Sequence, residues 1–182
     1  MFYLKEWNKN LDLTEFYSAC KQRGFENNSS EKNMLDCRKE KEWNAWILYK
    51  DDSAIGSVAA HSFEDVMGKN AFRVLARTCI LEGVRSKGLM VARTAIKQHQ
   101  NMVDQYLLPA CLDWAGDNRV FATSNESPIA SQRLVNKYYF PTLEEIGLVH
   151  NVGTVFYKKY YQTVWEINKK SFMDHLNQYP RW

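Results

Sequence analysis

Thr78-Cys79-Ile80-Leu81-Glu82-Gly83-Val84-Arg85-Ser86-Lys87-Gly88-Leu89-Met90 decides how the rest of the chain is read. It leaves a run of alternating, branched residues, crosses a tight loop bounded by Gly83 and Gly88, and enters a segment with helical spacing. Strand, loop and helix N-terminus in that order make an anion site. The first N–H groups of a helix have no partner within the helix, and the helix dipole adds roughly half a positive charge there. A phosphate at such a place is held mainly by backbone groups. Gly88 lets the backbone come close to a ligand, and Arg85 and Lys87 supply charge.

Upstream, residues 71–81 read as a strand, with Phe72, Val74, Ala76, Thr78 and Ile80 on one face. Gly68-Lys69-Asn70 forms the turn before it. Residues 54–63 are apolar and small, a strand covered on both faces. Residues 43–49 are rich in aromatic and branched residues and end at the turn signal Asp51-Asp52. These strands form an antiparallel meander. Residues 2–7 are a first strand. Asp12, with Glu15 three residues on, reads as a capping box. Leu13, Phe16, Tyr17 and Cys20 follow at helical spacing, and Gly24 closes the helix. Residues 27–30 are a polar loop. Residues 31–42 read as a charged surface helix that buries little.

Downstream, residues 89–107 read as one long helix broken by Pro109, with one more turn over residues 110–114. Residues 119–123 are a short strand. A helix starting at Pro128 carries Ile129, Ala130, Leu134 and Tyr138 and is stopped by Pro141. Residues 152–157 and 160–167 form a final hairpin around Lys158-Lys159, and residues 171–177 a short terminal helix. The order β-α-α-β-β-β-α-β-α-β-β predicts a mixed α/β (α+β) fold. Its centre is a mostly antiparallel sheet of about seven strands flanked by helices. No linker or repeat interrupts it, so residues 1–182 are expected to be one domain, with a short C-terminal extension over about 170–182.

The 182 residues are 45% hydrophobic and 25% charged, with eight Gly and four Pro, which excludes collagen, coiled coil and wholesale disorder. A net charge of +3 is too small for a nucleic-acid binder. No signal peptide is visible at the N-terminus, and no apolar run is long enough to span a membrane. Cys20, Cys37, Cys79 and Cys111 form no metal-type pair, and the four histidines are scattered, so no metal is expected. Reduced thiols fit a cytoplasmic protein.

Arg85-Ser86-Lys87-Gly88-Leu89-Met90 resembles the Arg/Gln-x-x-Gly-x-Gly/Ala motif of the GNAT acetyltransferase superfamily, and it stands after a meander, as that motif does. Asn125, Ala130, Arg133, Leu134 and the closing Tyr139-Phe140 resemble the family's second motif. The element order also matches over nearly the whole chain. The resemblance implies acetyl-CoA as co-substrate and acyl transfer to an amine. Thr78, Cys79 and Ile80 would offer backbone groups to the pantetheine arm. Residues 86–91 (Ser86, Lys87, Gly88, Leu89, Met90 and Val91) would wrap the pyrophosphate, with Arg85 also binding the coenzyme, and Asn125 would lie near the thioester. The chain departs from the pattern at Met90, where Gly or Ala is usual, at Glu82, where Pro is common, and at Tyr139, which replaces a Gly.

Direct transfer needs a base for the amine and an acid for the leaving thiolate. Glu82 is the carboxylate at the end of the fourth strand. For the acid, the family's tyrosine position is Val135 here, and Tyr138 and Tyr139 follow it along the same helix. Tyr138 is the choice, because Tyr139 stands where the chain turns inward. His61, His150 and Cys79 are weaker candidates, Cys79 having no visible His partner. Trp43, Trp46, Trp165 and the aromatics of residues 157–161 are core or cleft wall. The acceptor, a small-molecule or peptide amine, is not specified, and a homodimer is compatible with the reading. No acid–base pair is forced by the sequence, so a non-catalytic binding module with a degenerate coenzyme site stands as the alternative.

Overall fold

The computed structural model describes residues 1–25, 30–81, 93–125 and 135–181, and of Asn136 the backbone only. Its strands are β1 (Phe2–Glu6), β2 (Trp43–Lys50), β3 (Ser53–Ser62), β4 (Ala71–Ile80), β5 (Arg119–Asn125), β6 (Val149–Tyr157) and β7 (Tyr160–Ile167). They form one sheet in the order β1-β2-β3-β4-β5-β7-β6. Every pairing is antiparallel except β4 with β5. The mixed, mostly antiparallel sheet expected from the sequence is therefore present.

Helices cover both faces. On one, α1 (Thr14–Gln22) and α2 (Glu31–Asp36) pack Phe16, Cys20 and Met34 against Ala45, Ile47, Ala59 and Ala76. On the other lie α4 (Arg93–Lys97), α5 (Leu108–Ala115), α6 (Phe140–Glu145) and α7 (Lys169–Leu176). They bury Ile96, Cys111, Leu112, Leu143 and Phe172 against Trp46, Val58, Val74, Val120 and Trp165. The short helix α3 (Glu64–Met67) adds Val66 and Met67 to a small cluster of Phe63, Ala71, Phe121 and Val164. Phe121 lies between Val120 and Ala122, which belong to the larger core, so pleat alternation puts that cluster on the α1/α2 face. The α1 and α2 contacts reach only as far as β4, and beyond it this face carries, among the described residues, the short helix α3 against Phe121 and Val164.

Several local expectations change. Asp12 caps α1 by accepting from the Thr14 N–H (3.1 Å), and Leu13 rather than Asp12 holds the N-cap position. Gly24 does close the helix. At φ +73° it lets its own N–H reach the Lys21 carbonyl (3.0 Å) and the Phe25 N–H reach Cys20 (2.8 Å). The charged helix is shorter than expected. It runs only to Asp36, continues as a 3₁₀ turn over Cys37–Lys39, and buries Met34 and Cys37.

Neither proline ends a helix. Wide π turns at Val103–Leu107 and Val135–Tyr139 run directly into α5 and α6, where Pro109 and Pro141 sit in the first turn. There the missing proline N–H is not required. The wider turn also moves away the carbonyl that a proline ring would strike in a regular helix. The expected long helix over 89–107 is broken. His99 takes φ +51° after α4 ends. Residues 82–92 and 126–134, where the first helix and the Pro128 helix were expected to start, lie outside the described residues.

Candidate functional site

Strands β4 and β5 pair over only Ala71, Phe72 and Arg73 with Arg119, Val120 and Phe121. Beyond that ladder the strands separate. From Val74 onward the β5-facing edge of β4 has no strand partner among the described residues. Two register shifts against β3 cause the divergence. Between the Ser57–Cys79 and Ala59–Ala76 pairs, and again before His61–Arg73, β4 carries one extra residue. Leu75 (φ +56°) and Arg77 (φ +53°) absorb these bulges. The Thr78 hydroxyl donates to the Leu75 carbonyl (2.6 Å) and the Ser57 hydroxyl to the Arg77 carbonyl (3.0 Å), which fixes them.

The bulges also overturn the single face expected of β4. Phe72, Val74 and Ile80 join the larger core, whereas Ala76 and Cys79 turn to the α1/α2 face. Thr78, Cys79 and Ile80 thus end one arm of the opening. Asn125 ends the other, where β5 pairs with β7 at Gln162. Glu82, Arg85, Ser86, Lys87, Gly88, Leu89, Met90 and Val91 lie outside the described residues.

At the root of the opening, on the α1/α2 face, is a cluster that the motifs did not reveal. Half-buried Arg73 donates from Nε to the Thr123 hydroxyl (3.0 Å). His61, only 2% exposed, donates from Nδ1 to the Ser62 carbonyl (2.8 Å), because a carbonyl can only accept. Its Nε2 therefore offers a lone pair to Arg73 Nη1 at 3.3 Å. The guanidinium lies 5.4 Å from the centre of the Tyr157 ring. These partners are all neutral, and among the described residues no carboxylate forms an ion pair with Arg73.

Burial, and then the Arg73 charge, push the His61 imidazole down to about 3. It is neutral and engaged, which removes it as a general base. Burial also lowers Arg73 and Lys158 from their ordinary values, and the fields of Arg77 and Arg73 lower Lys158 further. Near the Tyr157–Lys158 turn is Glu40, at the end of the 3₁₀ turn, whose charge acts on Arg73, Tyr157 and Lys158 alike. The 3₁₀ turn and the β6–β7 hairpin therefore flank one groove. Arginines inside an otherwise apolar strand, Arg73 and Arg77, were the signal in the sequence.

Of the expected catalytic groups, Tyr138 stands on the second π turn, 37% exposed, with the Lys137 ammonium 5.6 Å from its ring centre. Tyr139 points inward. Its hydroxyl donates to fully buried Asp104, which also accepts from Asn101 Nδ2 (2.7 Å) and His99 Nδ1 (2.9 Å). Burial and the Asp104 charge hold Tyr139 well above the ordinary tyrosine value. His150 is exposed beside Glu166 (3.5 Å), on the far hairpin. Cys79 is buried with its sulfur 3.7 Å from that of Cys20, and neither is in a disulfide. Trp46 and Trp165 are core, with Trp165 Nε1 donating to Ser124. Among the described residues no cluster has the ligands for a metal.

No family model matches the chain, and no curated protein matches it. Solved structures do. A probable acetyltransferase from Staphylococcus epidermidis superposes with a TM-score of 0.55 at 15% identity, over 92% of this chain and 98% of that one. A putative acetyltransferase of the GNAT family from Desulfovibrio desulfuricans gives 0.57 at 12%, over 93% and 99%. Arabidopsis thaliana Naa50, in complex with the bisubstrate analogue CoA-Ac-MVNAL, gives 0.53 at 14%, over 91% and 97%. The chain has the GNAT, acyl-CoA N-acyltransferase fold.

Proposed function

We propose that this chain is an acyl-CoA-dependent N-acyltransferase that moves an acetyl group from acetyl-CoA to an amine on a small molecule or peptide. The observation that carries the reading is the parentage of its cleft. In a fold shared with acetyltransferases, β4 and β5 part after a short parallel ladder, and the β4 edge from Val74 onward has no strand partner on that side among the described residues. An extended chain with amide groups, such as pantetheine, can pair with such an edge.

In this reading residues 86–91 hold the pyrophosphate and Asn125 lies near the thioester. The amine nitrogen attacks the thioester carbonyl carbon, the C–S bond breaks, Glu82 takes the amine proton and Tyr138 donates to the departing sulfur. No cysteine forms an acyl intermediate. Burial drives the Cys111 thiol up to about 12, and no histidine is hydrogen-bonded to a cysteine among the described residues. No helix among the described residues is long and apolar enough to cross a membrane. The reaction is assigned to the cytoplasm.

Calorimetry and a thiol-release assay test the reading together. Acetyl-CoA should bind at micromolar concentration, about −8 kcal/mol, and Gly88→Asp should abolish binding by adding bulk and negative charge at the pyrophosphate loop. Equal affinity of the two proteins, or no thiol release with any amine, overturns it.

A further inference from the structure

We propose that the acceptor is an amine that also carries an oxyanion, a carboxylate or a phosphate, held by Arg73 and Lys158. The inference rests on the acyltransferase reading for what happens to the amine, but the oxyanion site stands on the groove itself.

Arg73 is costly where it is. A cation withdrawn from water loses several kcal/mol of hydration unless a carboxylate compensates. Here Thr123, His61 and Tyr157 orient the guanidinium without neutralising it. An apolar residue would serve the sheet better, so the charge is kept for something outside the fold. The hydrogen bonds also leave a definite part of the fork available. Nε and Nη1 are engaged, while Nη2 has no acceptor among the described residues. No buried side-chain nitrogen or oxygen among the described residues lacks a partner, so Nη2 reaches open space. A guanidinium fixed at two nitrogens with the third presented is ready for an oxyanion, and charge-assisted bonds of this kind are roughly twice as strong as neutral ones.

The neighbours add to the same field. Arg77 acts on both Arg73 and Lys158, and the exposed Lys158 has its ammonium 5.3 Å from the centre of the Tyr157 ring. The field of Glu40 reaches Arg73 and Lys158, and Asp36 interacts with Arg77. Arg73 and Lys158 thus stand as two cations against Glu40, and around half-buried Arg73 charges are less screened than in water. Position links the groove to the chemistry. Arg73 is the last β4 residue paired with β5, and Arg77 directly precedes Thr78 at the open edge. An oxyanion held there puts the rest of the acceptor beside the arm where the thioester is expected. Glu40, across the groove, suits the acceptor's ammonium before it loses its proton.

The test uses the full chain and matched acceptors: amino acids against their amides, and phosphoethanolamine against ethanolamine. With acetyl-CoA, thiol release should favour an anionic member of a pair by roughly 10²-fold in kcat/KM. Lys158→Gln should lower kcat/KM for that member about tenfold, and Arg73→Lys, which keeps charge but loses the fork, should lower it as well. Coenzyme affinity, measured separately, reports on folding of each variant. N-acetyl amino acids, as product mimics without coenzyme, should bind wild type and bind Lys158→Gln about tenfold more weakly. A preference within the carboxylate pairs or the phosphate pair identifies which oxyanion is used. Turnover with no preference for charge overturns the inference and leaves the acyltransferase reading standing. Charge-dependent binding of the product mimics without turnover of any amine leaves the oxyanion site and removes the acyltransferase reading. Neither binding of the mimics nor turnover of any amine overturns both.

Discussion

The hydroxyl of Tyr139 donates into Asp104 inside the core, whereas Tyr138, its neighbour on the same wide turn, is 37% exposed. The two tyrosines therefore predict opposite mutants. Tyr138→Phe removes a hydroxyl that nothing in the core uses. If it serves the leaving thiolate, kcat should fall roughly 10²-fold while the Kd for acetyl-CoA stays within a few-fold. An unchanged kcat in steady-state assays would hand that role to solvent. Tyr139→Phe removes one of the donors that compensate a fully buried carboxylate. It should cost about 1–3 kcal/mol of stability and lower Tm by roughly 2–4 °C per kcal/mol, with kcat preserved. A loss of activity without a loss of stability would mean that the sequence had offered the wrong member of the pair.

Gly56 pairs with Ile80 where β3 backs the end of β4. A Cβ on residue 56 would stand 2.7 Å from Ile80 Cδ1 and 3.0 Å from the Cys79 carbonyl oxygen. The methyl can swing aside but the carbonyl moves only with the strand. Gly56→Ala should therefore cost about 1–2 kcal/mol and displace the edge assigned to pantetheine, weakening acetyl-CoA several-fold by calorimetry. Full destabilisation with unaltered affinity would put the coenzyme elsewhere. The element order and this strand end could be read from alternation and turn residues. What could not be read were contributions from distant parts of the chain. Pro109 and Pro141 looked like stops, because a proline disrupts a regular helix and nothing local announces a π turn. The break at His99 carries no glycine or proline. It follows from a contact made across the fold, with His99 Nδ1 on Asp104 and Nε2 on His175 Nδ1 (2.9 Å). The β4 bulges likewise depend on pairing with β3, so strict alternation assigned Ala76 to the wrong face.

The sheet has one face packed by α4, α5, α6 and α7 and another that α1 and α2 cover only as far as β4, with the short helix α3 beyond them, and that side is where charge collects. The loop proposed for the pyrophosphate, which lies outside the described residues, could be named from the sequence because its chemistry lies in consecutive residues. The groove was not, because His61, Arg73, Thr123 and Tyr157 come from four strands and meet only in the assembled sheet. That assembly makes the stability of the whole protein depend on pH. Burial, and then the Arg73 charge, lower His61 from an ordinary value of about 6.5 to about 3. The folded imidazole stays neutral where the unfolded one accepts a proton. The contribution is therefore fully present above pH 6.5 and is lost as pH falls from 6.5 toward 3, at about 1.4 kcal/mol per pH unit. His175, also lowered, by burial and then by His99, acts in the same direction. His61→Gln keeps an oxygen that can accept from Arg73 but cannot titrate. Urea unfolding at pH 7 and pH 5 should show the wild type losing about 2 kcal/mol more than the variant between these values. Carboxylates cancel in that difference because both proteins carry them. Equal losses would mean that His61 protonates in the folded protein as readily as in the unfolded one, and that the Arg73 guanidinium does not face it.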